Sequence, residues 1–251
     1  MEFHTFGNKE KRTAVLIHGM LTPWQIWERT AERLSKEYYV IVPELDVHTE
    51  NEPSFFISIE DEATKIKNYI TENANGKISL LCGLSMGGRI AATLAGLRDI
   101  SVENLVLDGA PLTSVPGFLI YIMKKNHKTI IEKSKKRDPK VLENCKRDFL
   151  PEKHIPYYLK IADHIEQESI DKIMESVFSR FMFKKYENVS RILFMHGTKG
   201  NEAVSKKAAK RMKEINHQTE IRCFKGYAHA ELLCFKEDEW ISEVCDWLGY
   251  H

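Results

Sequence analysis

Residues 77–88 read Lys-Ile-Ser-Leu-Leu-Cys-Gly-Leu-Ser-Met-Gly-Gly, an apolar run followed by a serine between glycines. The run is typical of a β-strand that is buried on both faces. Gly83 and Gly87 lie two residues on either side of Ser85, which is the G-x-S-x-G pattern found between a strand and a helix. A serine in such a sharp turn has a strained backbone, and its neighbours must lack side chains to avoid a clash. The stretch therefore predicts a strand, a tight turn that exposes a hydroxyl, and a helix.

Outside this stretch, apolar β-rich runs alternate with amphipathic helical patterns. This alternation predicts an α/β protein with a mostly parallel central sheet and helices on both faces. The predicted strands are Thr13–His18, Tyr38–Pro43, Lys77–Cys82, Asn104–Asp108, Arg191–His196 and Thr219–Phe224, with a short edge strand in Met1–Phe6. The predicted helices are Pro23–Ser35, Ile57–Asn73, Met86–Arg98, Ala203–Ile215 and Glu237–Leu248. A length of 251 residues suits a single domain of this class.

Residues 112–187 interrupt the alternation, because they contain amphipathic, lysine-rich segments and no convincing strand. An unstructured loop of this length is uncommon in a compact domain, so a helical insertion is expected. The single domain would thus consist of a core, residues 1–111 and 188–251, and an insertion, residues 112–187. The basic run Lys124–Arg137 is expected to be the solvated face of a helix.

Composition argues against several classes of protein. With 37 basic and 36 acidic residues, the net charge of +1 gives no overall field that would attract nucleic acid or an anionic membrane. No apolar run approaches the ~18 residues of a membrane span, and the N-terminus lacks a signal-peptide pattern. The five cysteines are scattered without a CxxC pair, which favours reduced thiols in a cytoplasmic protein. No metal-ligand spacing, P-loop or dinucleotide-binding glycine pattern occurs, so no metal or cofactor is expected.

A second motif, Val15-Leu16-Ile17-His18-Gly19-Met20, joins the serine motif in a resemblance to the α/β-hydrolase family over nearly the whole chain. The resemblance implies the α/β-hydrolase fold, with Ser85 as a nucleophile and residues 112–187 as a helical cap. It also implies that the backbone N–H groups of Met20 and Met86 form the oxyanion hole. His18 is expected to be structural, because its neighbour supplies the donor through the main chain.

The general base is expected to be His229, because the family has its catalytic histidine after the last strand and before the last helix. The acid departs from the family pattern, since the loop after the penultimate strand, residues 197–204, contains no Asp. Glu202 is the only carboxylate in that loop and is preferred to Asp108, which ends an earlier strand at the same edge of the sheet. Each has a structural alternative, Glu202 as a helix-start residue and Asp108 as a turn residue before glycine. Asn201 is a third candidate, as a neutral acceptor.

Apolar side chains of the insertion are expected to form its underside and to line a cavity, although packing in the core is the alternative for each. They are Pro116, Phe118, Leu119, Tyr121, Ile122, Met123, Tyr157, Tyr158, Phe178, Phe181, Met182 and Phe183, with Trp24 and Trp27 joining them from the core. This lining favours an esterase or lipase that cleaves a carboxylic ester of a small, mostly apolar substrate through an acyl-enzyme at Ser85. A thioesterase, amidase, C–C bond hydrolase or lyase on the same triad is an alternative, because the cap selects the bond. A non-catalytic binding or signalling protein is another.

Overall fold

The computed structural model describes residues 1–49, 54–200 and 202–250. These residues form a seven-stranded sheet with strands β1 Glu2–Phe6, β2 Thr13–Ile17, β3 Tyr39–Glu44, β4 Lys77–Leu84, β5 Ser101–Asp108, β6 Val189–His196 and β7 Thr219–Cys223. The strand order is β1-β3-β2-β4-β5-β6-β7. β1 pairs antiparallel with β3, and the other neighbouring strands are parallel. The predicted mostly parallel sheet is confirmed, and the predicted strand ends differ from the observed ones by only a few residues.

The described residues also form ten α-helices. They are α1 Glu28–Leu34, α2 Ile59–Ala74, α3 Met86–Ala95, α4 Gly117–Lys135, α5 Pro139–Asp148, α6 Ile155–His164, α7 Gln167–Phe178, α8 Glu202–Ile215, α9 Glu231–Phe235 and α10 Glu237–Leu248. The helix predicted over Pro23–Ser35 is split into a 3₁₀ turn, Trp24–Trp27, and α1. Helix α9 was not predicted, since five residues are too few for a helical period to be recognised. Among the helices of the described ranges, none combines the length and apolar character that a membrane crossing requires.

Helices cover both faces of the sheet because the next strands are added on opposite sides of β2. The chain passes from β2 to β3 on one side, and then from β3 to β4 on the other side. Parallel crossovers are right-handed, so this change of side puts α1 on the opposite face from α2, α3 and α8. The contacts agree with this assignment. Trp27, next to α1, packs edge-on against Trp240 of α10 with ring centroids 5.0 Å apart, whereas α2 packs against α3. Strands β2 and β3 are consequently buried along their whole length.

The segment 112–187 is described in full and contains α4 to α7 and no strand. Helix α5 begins at a capped end, because the Asp138 side chain accepts the Val141 N–H at 3.0 Å and Pro139 follows the cap. Helix α4 packs against α6 and α7, and α7 also contacts α2 of the core. The helical content that the sequence predicts for this segment is therefore present.

One buried side chain of the core binds the segments before and after the four insertion helices, α4 to α7. Arg89 of α3 donates to the carbonyl oxygen of Pro111 at 3.1 Å and to the Ser179 hydroxyl at 2.8 Å. The ring of Phe181 lies 5.3 Å from its guanidinium carbon. Burial lowers the pKa of Arg89 to about 10. Since Pro111 precedes α4 and Ser179 follows α7, Arg89 fixes both connections to the helix that follows Ser85.

The ends of β2 and β4 approach each other so closely that glycines are required. In the sheet register Ile17 pairs with Gly83. A Cβ atom on Gly87 would lie 2.3 Å from the Ile17 carbonyl oxygen and 2.4 Å from that of His18. A Cβ atom on Gly83 would lie 2.3 Å from the Gly87 carbonyl oxygen. The direction in which strands are added to the sheet changes at β2, next to β4. The contact therefore lies at the topological switch point, where open α/β sheets bind ligands.

Gly87→Ala is therefore expected to lower the free energy of unfolding by about 1–3 kcal/mol, because the added methyl group overpacks this contact. Gly117→Ala is the matched control, since a Cβ atom there would meet nothing within 4 Å. Urea unfolding followed by circular dichroism measures both variants. Equal midpoints for the two would contradict the close approach of the β4–α3 turn to β2.

Candidate active site

Ser85 occupies the turn between β4 and α3 in a strained conformation, with φ 51° and ψ −116°. Its N–H donates to the Asp108 carbonyl oxygen at 2.8 Å, which holds the turn against the end of β5. The residue is half-buried, at the N-terminus of α3, where the helix dipole favours negative charge. A strained, held serine at a helix start is the arrangement expected of a nucleophile.

Three side chains from separate loops form one hydrogen-bonded line. The Ser85 hydroxyl lies 2.8 Å from His229 Nε2, and His229 Nδ1 lies 2.5 Å from Glu202 Oε1. Glu202 can only accept as a carboxylate, so Nδ1–H donates to it and Nε2 accepts from the serine. The other carboxylate oxygen accepts the Gly197 N–H at 2.8 Å, and Glu202 is 1% exposed. A hydroxyl, an imidazole and a carboxylate in this order form the arrangement that nucleophilic catalysis uses.

Backbone hydrogen bonds tie the loop of Glu202 to the loop of His229. The Tyr227 carbonyl oxygen accepts the N–H groups of Thr198 and Lys199 at 2.9 and 3.0 Å. A Cβ atom on Gly197 would lie 2.2 Å from that same oxygen, so the close approach needs glycine. These contacts explain how a glutamate at the start of α8 reaches the histidine across two loops.

A glycine also makes room for the imidazole. Gly109, directly after β5, has φ +60°, and a Cβ atom there would lie 2.9 Å from His229 Cε1. The left-handed backbone and the missing side chain both favour glycine at this position. Gly109 was not predicted as part of the site, although its place between Asp108 and Ala110 at a strand end was the available signal.

Asp108, the competing acid, contacts a different partner. Its carboxylate accepts the indole N–H of Trp240 at 3.0 Å, and both side chains are buried. Burial and the nearby Glu202 raise the pKa of Asp108 to about 7, although His229 and Trp240 oppose the shift. Glu202 therefore contacts the imidazole, and Asp108 supports the Ser85 turn through its main chain. Asn201, the third candidate, lies outside the described residues.

The two predicted oxyanion donors belong to the start of α3 and to the loop after β2. Met86 is the first residue of α3, so its N–H has no helical carbonyl four residues earlier. Met20 follows Gly19, and a Cβ atom on Gly19 would lie 3.5 Å from Ser85 Cβ. The loop after β2 thus runs beside the nucleophile.

Two buried histidines fix this loop. His18 donates from Nδ1 to the Gly19 carbonyl oxygen at 2.9 Å and accepts the Leu45 N–H at Nε2, 3.1 Å away. His48 repeats the pattern, since it accepts the Leu21 N–H at 2.8 Å and donates to the Asp46 carbonyl oxygen at 2.9 Å. Burial lowers the pKa of His18 well below its ordinary value and that of His48 to about 4. Both rings are therefore neutral supports at pH 7, which agrees with the structural role expected of His18.

An apolar cavity of about 300 Å³ lies between the insertion and the loop after β2. Its lining comes from the loop through Leu21, from α4, α5 and α6, and from the residue after α5, and comprises Leu21, His127, Ile130, Val141, Asn144, Cys145, Asp148, Phe149 and Tyr158. Most of these residues were missed, although the spacing of Val141 and Cys145 on one helix face was a usable signal.

The predicted lining is borne out only in part. Of that set, Tyr158 lines this cavity, and Phe181 and Phe183 line a second cavity of about 330 Å³. Trp27 is fully buried against Trp240, and Trp24 stacks on His4 with centroids 3.9 Å apart. Five others are exposed to solvent, namely Phe118, Leu119, Tyr121, Ile122 and Met182. The first four of these lie on α4, where the helical spacing is the same whether a stripe faces inward or outward, so the sequence alone did not distinguish these cases.

Two groups in the described ranges have the composition of metal ligands, Glu2 with His4 and Glu44, and Asp46 with Asp61 and Glu62. In the second group, Asp46 already pairs with the N-terminal ammonium at 2.6 Å and with Lys65. Burial and the Asp46 charge raise the pKa of Glu62 to about 8. Asp46 of the second group thus already has cationic partners within the chain.

In sequence, the chain is similar to known proteins only at low identity. No family model matches the chain. An AB hydrolase superfamily protein of Gibberella zeae is 26% identical over 108 residues, which are 43% of this chain and 38% of that protein. The alignment thus spans well under half of the relative's length.

Solved structures match along nearly the full chain. A putative α/β-hydrolase family protein from Desulfitobacterium hafniense has a TM-score of 0.78 at 22% identity, covering 98% of this chain and 100% of its own. An esterase from Exiguobacterium antarcticum has a TM-score of 0.72 at 17% identity, covering 98% and 94%. An enol-lactonase from Burkholderia xenovorans has a TM-score of 0.71 at 16% identity, covering 99% and 96%. The chain therefore has the α/β-hydrolase fold, as its resemblance implied.

The neutral His48 ring predicts a loss of stability in acid. In the unfolded chain the pKa is about 6.5, so between this value and about 4 only the unfolded chain binds the proton. The stability that comes from a neutral His48 is fully present above about pH 6.5. As the pH falls, the free energy of unfolding decreases, by about 2 kcal/mol at pH 5. Urea unfolding of wild type and His48→Gln at pH 8 and pH 5 measures it. Between pH 8 and pH 5, the free energy of unfolding should decrease by about 2 kcal/mol less in His48→Gln than in the wild type. His217→Gln, at an exposed histidine, is the control and should show the same decrease as the wild type. Identical decreases in all three proteins would contradict a neutral buried His48.

Proposed function

We propose that this chain is a serine hydrolase that cleaves a carboxylic ester of a small, mostly apolar substrate through an acyl-enzyme at Ser85. The observation that carries the proposal is the continuous line of hydrogen bonds from Ser85 through His229 to Glu202, at 2.8 and 2.5 Å. In such a line the imidazole removes the serine proton, and the carboxylate stabilises the imidazolium that forms.

The proposed reaction has two halves. Ser85 Oγ attacks the ester carbonyl carbon while His229 Nε2 takes the hydroxyl proton, and the N–H groups of Met20 and Met86 bind the carbonyl oxygen as it becomes negative. The same nitrogen then protonates the departing alcohol, which leaves the acyl group on Ser85. A water molecule gives its proton to His229 and attacks the acyl carbon, and the acid departs as the serine regains its proton. Glu202 stays ionised throughout and holds the imidazole in the productive tautomer.

The cavity supports an apolar substrate. Leu21, which lines it, is the residue after the proposed oxyanion donor Met20. We infer from this link that the acyl group of the substrate enters the cavity. We infer that residues 112–187 act as a cap, because α4, α5 and α6 provide most of the remaining walls. The similarity to an esterase and an enol-lactonase fits cleavage of an ester bond.

Ser85→Ala is expected to fold normally and to lose turnover by on the order of a millionfold, because it removes the nucleophile. The measurement is hydrolysis of p-nitrophenyl acetate, butyrate and hexanoate, together with labelling by a fluorophosphonate probe. The wild type should be labelled at Ser85, and its kcat/KM should rise along the series by up to about fourfold per added methylene as the apolar cavity fills. A variant that keeps a tenth of the activity would exclude Ser85 as the nucleophile. Acetate as the best substrate would exclude the cavity as the acyl site.

Glu202→Gln and Asp108→Asn separate the two candidate acids. The amide preserves shape but favours the wrong imidazole tautomer, so Glu202→Gln should lose about 10⁴ in kcat. Asp108→Asn should lose less than tenfold, because Asp108 bonds to Trp240 and Glu202 bonds to His229. Unfolding midpoints of both variants provide the control for folding. A larger kinetic loss in Asp108→Asn would assign the acid to β5, and no loss in either would argue against a carboxylate in the triad.

A further inference from the structure

The first two turns of α4 hold large apolar side chains in solvent. Phe118 is 67% exposed, Tyr121 is 68% exposed and Ile122 is 48% exposed. They are spaced three and four residues apart, so they share one face of the helix. A cluster of this kind marks a contact surface more often than an isolated exposed side chain does.

The same face continues as a basic stripe towards the end of the helix. Exposed lysines follow at Lys125, Lys128 and Lys133, at spacings that keep them in line with the apolar residues, and Lys136 is exposed directly after the last residue of the helix. Glu132 is a carboxylate on this stripe, 4.0 Å from Lys128. Four lysines against one glutamate leave this face strongly positive, although the whole chain has a net charge of only +1.

We propose that this face, defined here as the outer face of α4 (Phe118, Tyr121, Ile122, Lys125, Lys128, Lys133 and Lys136), binds the surface of an anionic lipid membrane. An apolar side combined with lysines is the pattern of a helix that lies in the plane of a bilayer interface. Phe118, Tyr121 and Ile122 would enter the boundary between headgroups and acyl chains. The lysines would lie among the lipid phosphates, each adding electrostatic attraction.

The charges favour a lipid surface over a second copy of this chain. Two copies packed through this face in the same orientation would bring lysines against lysines, which costs free energy. An anionic bilayer neutralises all four lysines and accepts the apolar side chains in one step. Since the overall charge is almost balanced, attraction to such a surface depends on this face and decreases as salt screens it.

Co-sedimentation of the full chain with vesicles tests the proposal. Vesicles of equal phosphatidylcholine and phosphatidylglycerol should bind the protein at least about tenfold more tightly than phosphatidylcholine alone, and high salt should weaken the binding. Ser85→Ala should bind like the wild type, which separates docking from the proposed catalysis. No binding to anionic vesicles, or equal binding to both kinds, would overturn the proposal.

Matched variants locate the binding surface. Lys125→Glu/Lys133→Glu/Lys136→Glu should bind about a hundredfold more weakly, whereas Lys206→Glu/Lys210→Glu/Lys213→Glu on α8 makes the same charge change and should bind nearly as the wild type. Phe118→Ser should lose about tenfold. Phe55→Ser, at a phenylalanine that is 63% exposed before α2, should lose little. Equal losses in target and control would overturn the assignment to α4, as would a wild-type dimer in sedimentation equilibrium that Phe118→Ser dissociates.

Discussion

The close packing of the β4–α3 turn against the end of β2 is the constraint on which the rest of the site depends. Gly87 lies where a Cβ atom would be 2.3 Å from the Ile17 carbonyl oxygen. This contact puts the start of α3, the Ser85 hydroxyl and the loop with Met20 side by side at the switch point of the sheet. The strain at Ser85 is stabilised from the other side by the hydrogen bond from its N–H to Asp108. The proposed nucleophile and the proposed oxyanion donors therefore owe their mutual position to backbone packing.

The buried titratable side chains around the candidate active site differ in charge. The loop after β2 is supported by His18 and His48, whose burial keeps both rings neutral. Asp108 and Glu202 are both buried near His229, and two neighbouring carboxylates are costly to ionise together. Glu202 accepts hydrogen bonds from Gly197 and from the imidazole, whereas its competitor has a raised pKa of about 7. Glu202 thus has the contacts that stabilise a carboxylate, and it bonds to Nδ1 of the imidazole whose Nε2 takes the serine proton in the proposed mechanism.

The sequence was informative where backbone geometry restricts the residue type. The glycines around Ser85 and the order of strands and helices predicted the sheet, the turn and the position of His229. The hydrogen bond of Glu202 was harder to predict, since it depends on how the loops at Thr198 and Tyr227 are joined. The orientation of the stripe in α4 was predicted wrongly, because the packing of α4 on α6 and α7 decides it and the helical period does not.

Helix α4 contributes both to the proposed substrate cavity and to the proposed membrane-binding surface, because one of its faces packs inside the protein and another is exposed. Ile131 and Ser134 are buried against the other insertion helices, and Ile130 lines the apolar cavity. The outer face is left for solvent or lipid. Arg89 binds the segments before α4 and after α7, so the insertion helices are anchored to α3, the helix that follows Ser85. Membrane binding through the outer face would then hold the cavity and the proposed nucleophile at a constant distance from the bilayer, whose lipids contain apolar ester groups.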